Sequence, residues 1–178
     1  MIAGRLGGRI LVAPRGRSTR PTSDRVRGAL FSILGDVRSA RVLDLYAGSG
    51  ALGIEAVSRG AAEATYVDSS PSAIAAIRRN LTDLDLEAEV RHQTVHSFLE
   101  RAQRDGRQYD LAFADPPYGL ASSLRDELSA GLVRVLAPGA RAVAESDRRA
   151  PVELDALELL DERRYGDTLI RIFNVPTG

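Results

Sequence analysis

Residues 43–53 read Leu43-Asp44-Leu45-Tyr46-Ala47-Gly48-Ser49-Gly50-Ala51-Leu52-Gly53. The stretch begins as an apolar strand, turns through glycines and continues with the spacing of a helix. Glycines at such a turn let the backbone approach a ligand closely, and the free N–H groups at the helix start favour an anionic or polar group. The Gly48-x-Gly50-x-x-Gly53 pattern also matches the dinucleotide-binding fingerprint, so the motif by itself leaves the type of cofactor open.

From Arg41 onward, short apolar runs alternate with helical ones, which is typical of a parallel sheet covered by helices on both faces. We predict strands at Arg41–Tyr46, Ala64–Asp68, Ala88–His92, Asp110–Asp115 and Ala140–Glu145. We predict helices at Ala51–Arg59, Pro71–Leu84, Val95–Gln103 and Leu120–Leu136. The final runs, Leu154–Arg163 and Thr168–Val175, are joined so closely that they must pair antiparallel. The predicted fold is therefore α/β, with a sheet that is mixed at one edge.

The first 20 residues have a different character. Two short extended runs flank Gly7-Gly8, a pair suited to a tight turn, so we predict a small β-hairpin arm. After it, Thr22 or Ser23 can cap a helix from Asp24 to Leu34. We therefore divide the chain into a basic arm, 1–20, and a main domain, 21–178.

Composition limits the chemistry. The chain has 178 residues, which suits one compact domain, and with no Cys and two His we expect neither a disulfide nor a metal site. No apolar run approaches the roughly 20 residues of a membrane span, so we expect a cytoplasmic protein. Residues 1–40 hold eight Arg against two acids, so this part carries +6 and the rest of the neutral chain −6. A basic arm on an acidic body suggests a polyanion as partner.

Two carboxylates near the glycine turn narrow the choice of cofactor. Asp68 ends the strand after the turn, close to the spacing at which an acid binds both hydroxyls of an adenosyl ribose. NAD and S-adenosylmethionine share that ribose. Asp44, just before the glycines, suits the ammonium group of a methionine moiety and would repel a pyrophosphate, although a structural hydrogen-bonding role is the alternative.

A second motif, Asp115-Pro116-Pro117-Tyr118, follows the fourth predicted strand. Neither proline has an N–H, so the turn is stiff, and the carbonyls of Asp115 and Pro116 can accept hydrogen bonds from a substrate amino group. Acceptors that hold both amino protons would aim the nitrogen lone pair at a methyl donor. Tyr118 would stack on an unpaired base, and Asp115 would take the released proton.

These motifs resemble those of the Rossmann-fold amino-methyltransferases, and Arg20-Pro-Thr-Ser-Asp-Arg-Val-Arg-Gly-Ala-Leu-Phe31 resembles the N-terminal signature of the RsmD family. The resemblance implies a seven-stranded Rossmann-like methyltransferase sheet, S-adenosylmethionine as cofactor, and methyl transfer to N2 of guanine 966 in 16S ribosomal RNA. The expected cofactor residues are Asp44, Tyr46, Gly48, Ser49, Gly50, Asp68, Ser69, Thr94, Val95 and Asp115. The expected catalytic residues are Asp115, Pro116, Pro117 and Tyr118.

Two positions depart from the family pattern. Gly28 stands where an acidic residue is common, and Thr94 replaces an Asp or Asn often found beside the adenine ring. The adenine contact is therefore expected from the Thr94 hydroxyl or from the backbone of Val95.

The arginines of the arm are the candidates for contact with RNA phosphates. They are Arg5, Arg9, Arg15, Arg17 and Arg20, with Arg25 and Arg27 further along the chain. The expected partner is 16S ribosomal RNA, either free or within a partly assembled small subunit, and the acidic body favours the particle. The protein is expected to act as a monomer. His92 and His96 are assigned surface or capping roles.

Three alternatives stay open from the sequence. An adenine-N6 DNA methyltransferase uses the same acceptor motif, although the chain has no room for a large target-recognition domain. An NAD-dependent oxidoreductase is disfavoured by Asp44. A non-catalytic RNA-binding factor on the same fold is the third.

Overall fold

A computed structural model of the protein describes residues 3–14, 23–117 and 122–175. Its five helices are α1 (Asp24–Leu34), α2 (Ala51–Ser58), α3 (Pro71–Asp83), α4 (Val95–Arg104) and α5 (Ser122–Val135). Its seven strands are β1 (Arg41–Leu45), β2 (Glu63–Asp68), β3 (Glu89–His92), β4 (Tyr109–Ala114), β5 (Leu136–Asp147), β6 (Glu158–Tyr165) and β7 (Thr168–Asn174). Within these ranges no helix has the length and apolar character needed to cross a membrane.

The strands form one sheet in the order β3-β2-β1-β4-β5-β7-β6. Strands β1 to β5 run parallel, and β7 lies antiparallel between β5 and β6. The predicted α/β fold and its mixed sheet edge are therefore confirmed. The antiparallel β6–β7 turn contains Gly166, whose φ of 65° requires the left-handed conformation that glycine adopts without strain.

Alternation along β1 explains why both faces of the sheet are covered. Leu43 and Leu45 face the cluster formed with α4 and α5, whereas Val42 faces the cluster formed with α1, α2 and α3. A strand that is buried on both faces is largely apolar on both, and β1 follows this at Val42, Leu43 and Leu45, with buried Asp44 as the exception.

Helix α1 has the predicted boundaries. Its first turn is capped by Ser23, whose hydroxyl accepts a hydrogen bond from the Val26 N–H at 3.3 Å. Gly35 follows Leu34 with a φ of 66° and a ψ of −131°, a conformation that residues with a Cβ rarely adopt, and the helix ends there.

The predicted N-terminal β-hairpin is wrong for the described residues 3–14, which contain a short 3₁₀ helix at Gly4–Leu6 and no strand. Later side chains take up the backbone groups that a hairpin would have paired. The Leu6 N–H donates to the Ser58 hydroxyl at 3.0 Å, and that hydroxyl donates to the Ala3 carbonyl at 2.6 Å. The Gly7-Gly8 pair could not predict these contacts, because Ser58 lies more than 50 residues away in the sequence.

Two other boundaries differ from prediction by more than two residues. Strand β5 begins at Leu136, earlier than expected, because Leu136 pairs with Tyr109 before an irregularity in the register. Strand β6 begins only at Glu158, because Leu154 and Leu157 are buried in a turn closed by a 2.8 Å hydrogen bond from the Leu157 N–H to the Leu154 carbonyl.

Candidate active site

The turn between β1 and α2 is held in left-handed backbone conformations. Tyr46, Gly48 and Gly50 have φ angles of 55°, 58° and 77°. The Gly50 N–H donates to the Ala47 carbonyl at 2.7 Å, which closes the turn just before α2 begins. A Cβ on Gly48 would meet only the Tyr46 carbonyl oxygen, at 4.0 Å, so ligand atoms can approach this backbone. A non-glycine residue at φ 55° is strained, and such strain is concentrated at functional sites.

Asp68, at the end of β2, braces this turn. One carboxylate oxygen accepts from the Gly48 N–H at 3.0 Å, and the other accepts from the Ser70 N–H at 2.8 Å. Its position at the carboxyl end of β2, beside the turn, is the one expected of a ribose ligand.

Asp44 is buried inside β1, and its carboxylate accepts a hydrogen bond from the Gly53 N–H at 2.9 Å. Burial raises the pKa of Asp44 to about 7; the Gly53 N–H opposes the rise, and the Asp68 carboxylate adds to it. The structural hydrogen-bonding role is thus present, and a bound cation would favour the charged form. The hydroxyl of buried Tyr66 has no hydrogen-bond partner among the described residues. Burial is the main cause that raises the pKa of Tyr66, and the nearby Asp44 carboxylate raises it further.

A cavity of about 250 Å³ opens at the carboxyl edge of the sheet. It is lined by Tyr46, Ser69, Thr94, Val95, His96, Leu99, Pro117, Glu127 and Leu128. The structure thus brings five predicted site residues to one cavity, from the ends of β1, β2, β3 and β4. Thr94 also caps α4, because its hydroxyl accepts from the Ser97 N–H at 3.2 Å.

Sequence reasoning missed two polar residues of this cavity. His96 Nδ1 lies 3.1 Å from Glu127 Oε2, so the pair joins α4 to α5 across the cavity wall. Burial raises the pKa of the Tyr46 hydroxyl, and Glu127 adds to this rise. The position of His96 just after β3 was a usable signal, because the first turn of such a helix faces the same sheet edge. No sequence signal pointed to Glu127, because its position beside the cavity depends on how α5 packs against α4.

The acceptor motif, Asp115-Pro116-Pro117-Tyr118, follows β4, the strand that pairs with β1. Leu45 of β1 pairs with Ala114 of β4, so Tyr46 and Asp115 leave the sheet side by side. Asp115 is exposed rather than directed into the core, and Pro117 reaches the cavity. Tyr118 lies outside the described residues.

The candidate RNA contacts divide into three groups. Arg5 and Arg9 are exposed on the N-terminal segment, and Arg25 is exposed at the start of α1. Arg27 is buried, 2.5 Å from Asp24 and 3.9 Å from Glu55, so the structure contradicts a phosphate-binding role for it because its charge is already paired. The remaining predicted residues, Arg15, Arg17 and Arg20, lie outside the described residues.

These features fit an adenosyl cofactor with a cationic tail. The cavity offers apolar walls at Val95, Leu99 and Leu128, the glycine turn exposes backbone, and two buried carboxylates lie beside it. Ser69 and Asp68 stand at the end of β2, where the ribose would be held.

The strand order and this turn define a class of protein. The solved Escherichia coli protein yhhF, provisionally named a methyltransferase, has a TM-score of 0.84 and 34% identity, covering 100% of this chain and 98% of that one. A Thermus thermophilus 16S rRNA N2 G1207 methyltransferase, solved with AdoMet and guanosine, has a TM-score of 0.71 and 22% identity, covering 90% of this chain and 44% of that one. The fold is that of the Rossmann-like methyltransferases.

Within that class, a family model described as Conserved hypothetical protein 95 matches residues 1–174. The Bacillus subtilis protein YlbH, with a provisional rRNA methyltransferase name, is 35% identical over 183 residues that cover 97% of each chain. The Escherichia coli ribosomal RNA small subunit methyltransferase D is 42% identical over 120 residues, which cover 66% of this chain and 59% of that protein. The chain belongs to this family, the RsmD family of rRNA methyltransferases.

Proposed function

We propose that the protein transfers a methyl group from S-adenosylmethionine to N2 of a guanine in small-subunit ribosomal RNA, at guanine 966. The observation that carries the proposal is the register of β1 and β4, which sets the glycine turn beside Asp115-Pro116-Pro117. The related Thermus thermophilus enzyme, which binds AdoMet and guanosine, supports the choice of base and donor.

The residues of this chain divide the work. The turn from Tyr46 to Gly50, with Asp44 and Asp68, would hold the cofactor, and the cavity walls would enclose its adenine. When bound, S-adenosylmethionine supplies an electrophilic methyl group on a sulfonium sulfur. The stiff Asp115-Pro116-Pro117 turn would orient the guanine amino group by accepting hydrogen bonds from its N–H groups. This orientation is needed because the amino nitrogen is a weak nucleophile, which reacts only when its lone pair points at the methyl group. Asp115 is exposed, so the proton lost after transfer can pass through it to water.

We propose the partly assembled small subunit rather than free RNA as substrate. Outside residues 1–40 the chain carries −6, so most of its surface would repel a naked polyanion. A particle would supply further surfaces for recognition.

The test is transfer of tritiated methyl groups to undermodified small subunits, to the 16S RNA extracted from them and to DNA, followed by mapping of the labelled nucleotide. We expect label on one guanine N2, with the particle as the better substrate. Label only on DNA adenine would reject the proposal, and label on a different RNA base would reject the guanine assignment.

A further inference from the structure

Asn80, in the last turn of α3, joins two segments that are distant in sequence. Its side chain is 2% exposed. Its carbonyl oxygen accepts from the Val12 N–H at 2.7 Å, and its amide nitrogen donates to the carbonyls of Val12 and Ser49, each at 2.9 Å. One carboxamide therefore binds both the N-terminal segment and the glycine turn.

The bond to Ser49 fixes a single peptide group. The Ser49 carbonyl and the Gly50 N–H belong to the same planar unit. The carbonyl accepts from Asn80, and the N–H donates to Ala47 at 2.7 Å. Both ends of this unit are thus held, and a rotation that redirects it would break the two bonds together.

The N-terminal segment reached by Asn80 is exposed to a partner. Ile10 is 94% exposed and adjoins exposed Arg9, although the backbone nearby is anchored at Val12. A second anchor is the Ser58 hydroxyl, which accepts from the Leu6 N–H and donates to the Ala3 carbonyl; within the described part of the chain it has no hydrogen bond to the glycine turn. The Ala3 N–H also donates to Glu55 Oε1 at 3.1 Å, so several side chains of the body hold the segment. Of Asn80, Ser58 and Glu55, Asn80 is the one whose side chain also bonds to the glycine turn.

We propose that Asn80 is a positioning residue that couples binding of RNA by the N-terminal segment to binding of the cofactor by the glycine turn. This inference rests on the proposed function. RNA bound to the segment would keep Val12 in contact with Asn80. Asn80 would then keep its hydrogen bond to the Ser49 carbonyl, which fixes the Ser49–Gly50 peptide in its cofactor-binding orientation. Because coupling between two binding sites is reciprocal, each ligand would tighten the other by the same factor.

The experiment measures dissociation constants for S-adenosylhomocysteine, which has no methyl group to transfer, with and without saturating undermodified small subunits, whose 16S RNA is the ligand of the N-terminal segment. In the wild type we expect bound RNA to lower the dissociation constant of this ligand by about 5- to 150-fold, the usual range of coupling between sites. Asn80→Asp keeps an acceptor for Val12 but loses both donors, so the coupling factor should fall toward one, and affinity without RNA should fall about tenfold, as for one lost hydrogen bond. A wild-type factor in Asn80→Asp, or no coupling in the wild type, would overturn the proposal.

Ser58→Ala is the matched control, because it loosens the same segment without touching the turn. We expect weaker RNA binding, unchanged affinity for S-adenosylhomocysteine alone, and a retained coupling factor at saturating RNA. A loss of S-adenosylhomocysteine affinity equal to that of Asn80→Asp would mean that general loosening is the cause, and would overturn the assignment to Asn80.

A second variant covers the case in which Asn80→Asp does not fold. Val12→Pro removes the N–H that donates to Asn80, so only the bond from Asn80 to the carbonyl of residue 12 still joins it to the segment. The Ser49 bond stays in place, so the coupling factor should fall below that of the wild type while affinity for S-adenosylhomocysteine alone is kept. Retained coupling in Val12→Pro would overturn the proposal. RNA binding without methyl transfer, or transfer to another base, would reject the proposed function while leaving these binding measurements valid.

Discussion

The two strand ends that meet at the carboxyl edge of the sheet are built differently. At β1 and β2, Asp44 and Asp68 are 2% and 3% exposed and already accept hydrogen bonds from the glycine turn and its helix. At β4, Asp115 is exposed and is followed by two residues that cannot donate a backbone hydrogen bond. Internal contacts hold both carboxylates on the proposed cofactor side, and we propose that Asp115 and the turn after it present their oxygen atoms to a substrate. Changes on the first side should alter affinity and stability, and changes on the second should alter the chemical step.

Asp68→Ala should have the largest effect on the cofactor side. It removes the acceptor of the Gly48 and Ser70 N–H groups as well as the expected ribose ligand. Hydrogen bonds to a charged group contribute about 1.5–3 kcal/mol each, so S-adenosylmethionine affinity should fall by at least about 100-fold. Calorimetry measures this directly. Asp110→Ala is the control, because Asp110 pairs with Arg41 at the start of β4 and should leave affinity unchanged; equal losses in both variants would contradict the assignment.

Gly53→Ala should destabilise the protein, because the added Cβ would crowd the residues around Asp44. A Cβ there would lie 2.5 Å from Tyr66 Cε1 and 3.1 Å from Asp44 Oδ2. Overpacking of this kind costs about 1–3 kcal/mol, which chemical denaturation would register as a lower free energy of unfolding. Gly28→Ala, inside α1, should instead gain up to about 1 kcal/mol from helix propensity. Wild-type stability of Gly53→Ala would show that the packing around Asp44 is looser than described.

The acid inside β1 predicts a pH dependence of cofactor binding. The pKa of Asp44 is raised to about 7, so below that pH the free protein holds a proton on Asp44. A cation bound beside it must displace this proton, so affinity for S-adenosylmethionine should rise with pH by up to about tenfold per unit below pH 7 and level off above it. Titration calorimetry from pH 5.5 to 8.5, an interval of about 1.5 units on either side of the pKa, would show this. Asp44→Asn should bind S-adenosylmethionine more weakly, with an affinity that does not change with pH in this range. A wild-type affinity that does not change with pH would contradict the proposal that Asp44 binds the ammonium group.

The comparison also explains what the sequence could predict. Local sequence signals predicted several elements correctly: Ser23 caps α1, Pro71 begins α3, and the glycines after β1 form the turn into α2. The register of parallel strands then brought the acceptor motif to the same edge, because consecutive strand ends share it.

The failures are nonlocal. The N-terminal hairpin was wrong because Ser58 and Asn80, far along the chain, bind backbone groups that would otherwise pair. The contact of His96 with Glu127 depends on how α4 packs against α5, which no spacing in the sequence encodes. Side-chain to backbone bonds over 50 or more residues therefore mark the limit of pattern reasoning in this protein.

Asp115→Ala tests the central claim most directly, with single-turnover methyl transfer to small subunits and S-adenosylmethionine affinity measured on the same preparation. Transfer should fall by at least about 100-fold, as expected when a group that acts on the reacting amine is lost, while affinity stays within about threefold. Transfer near the wild-type rate, or a loss of affinity as large as the loss of transfer, would contradict a division of labour between the two strand ends.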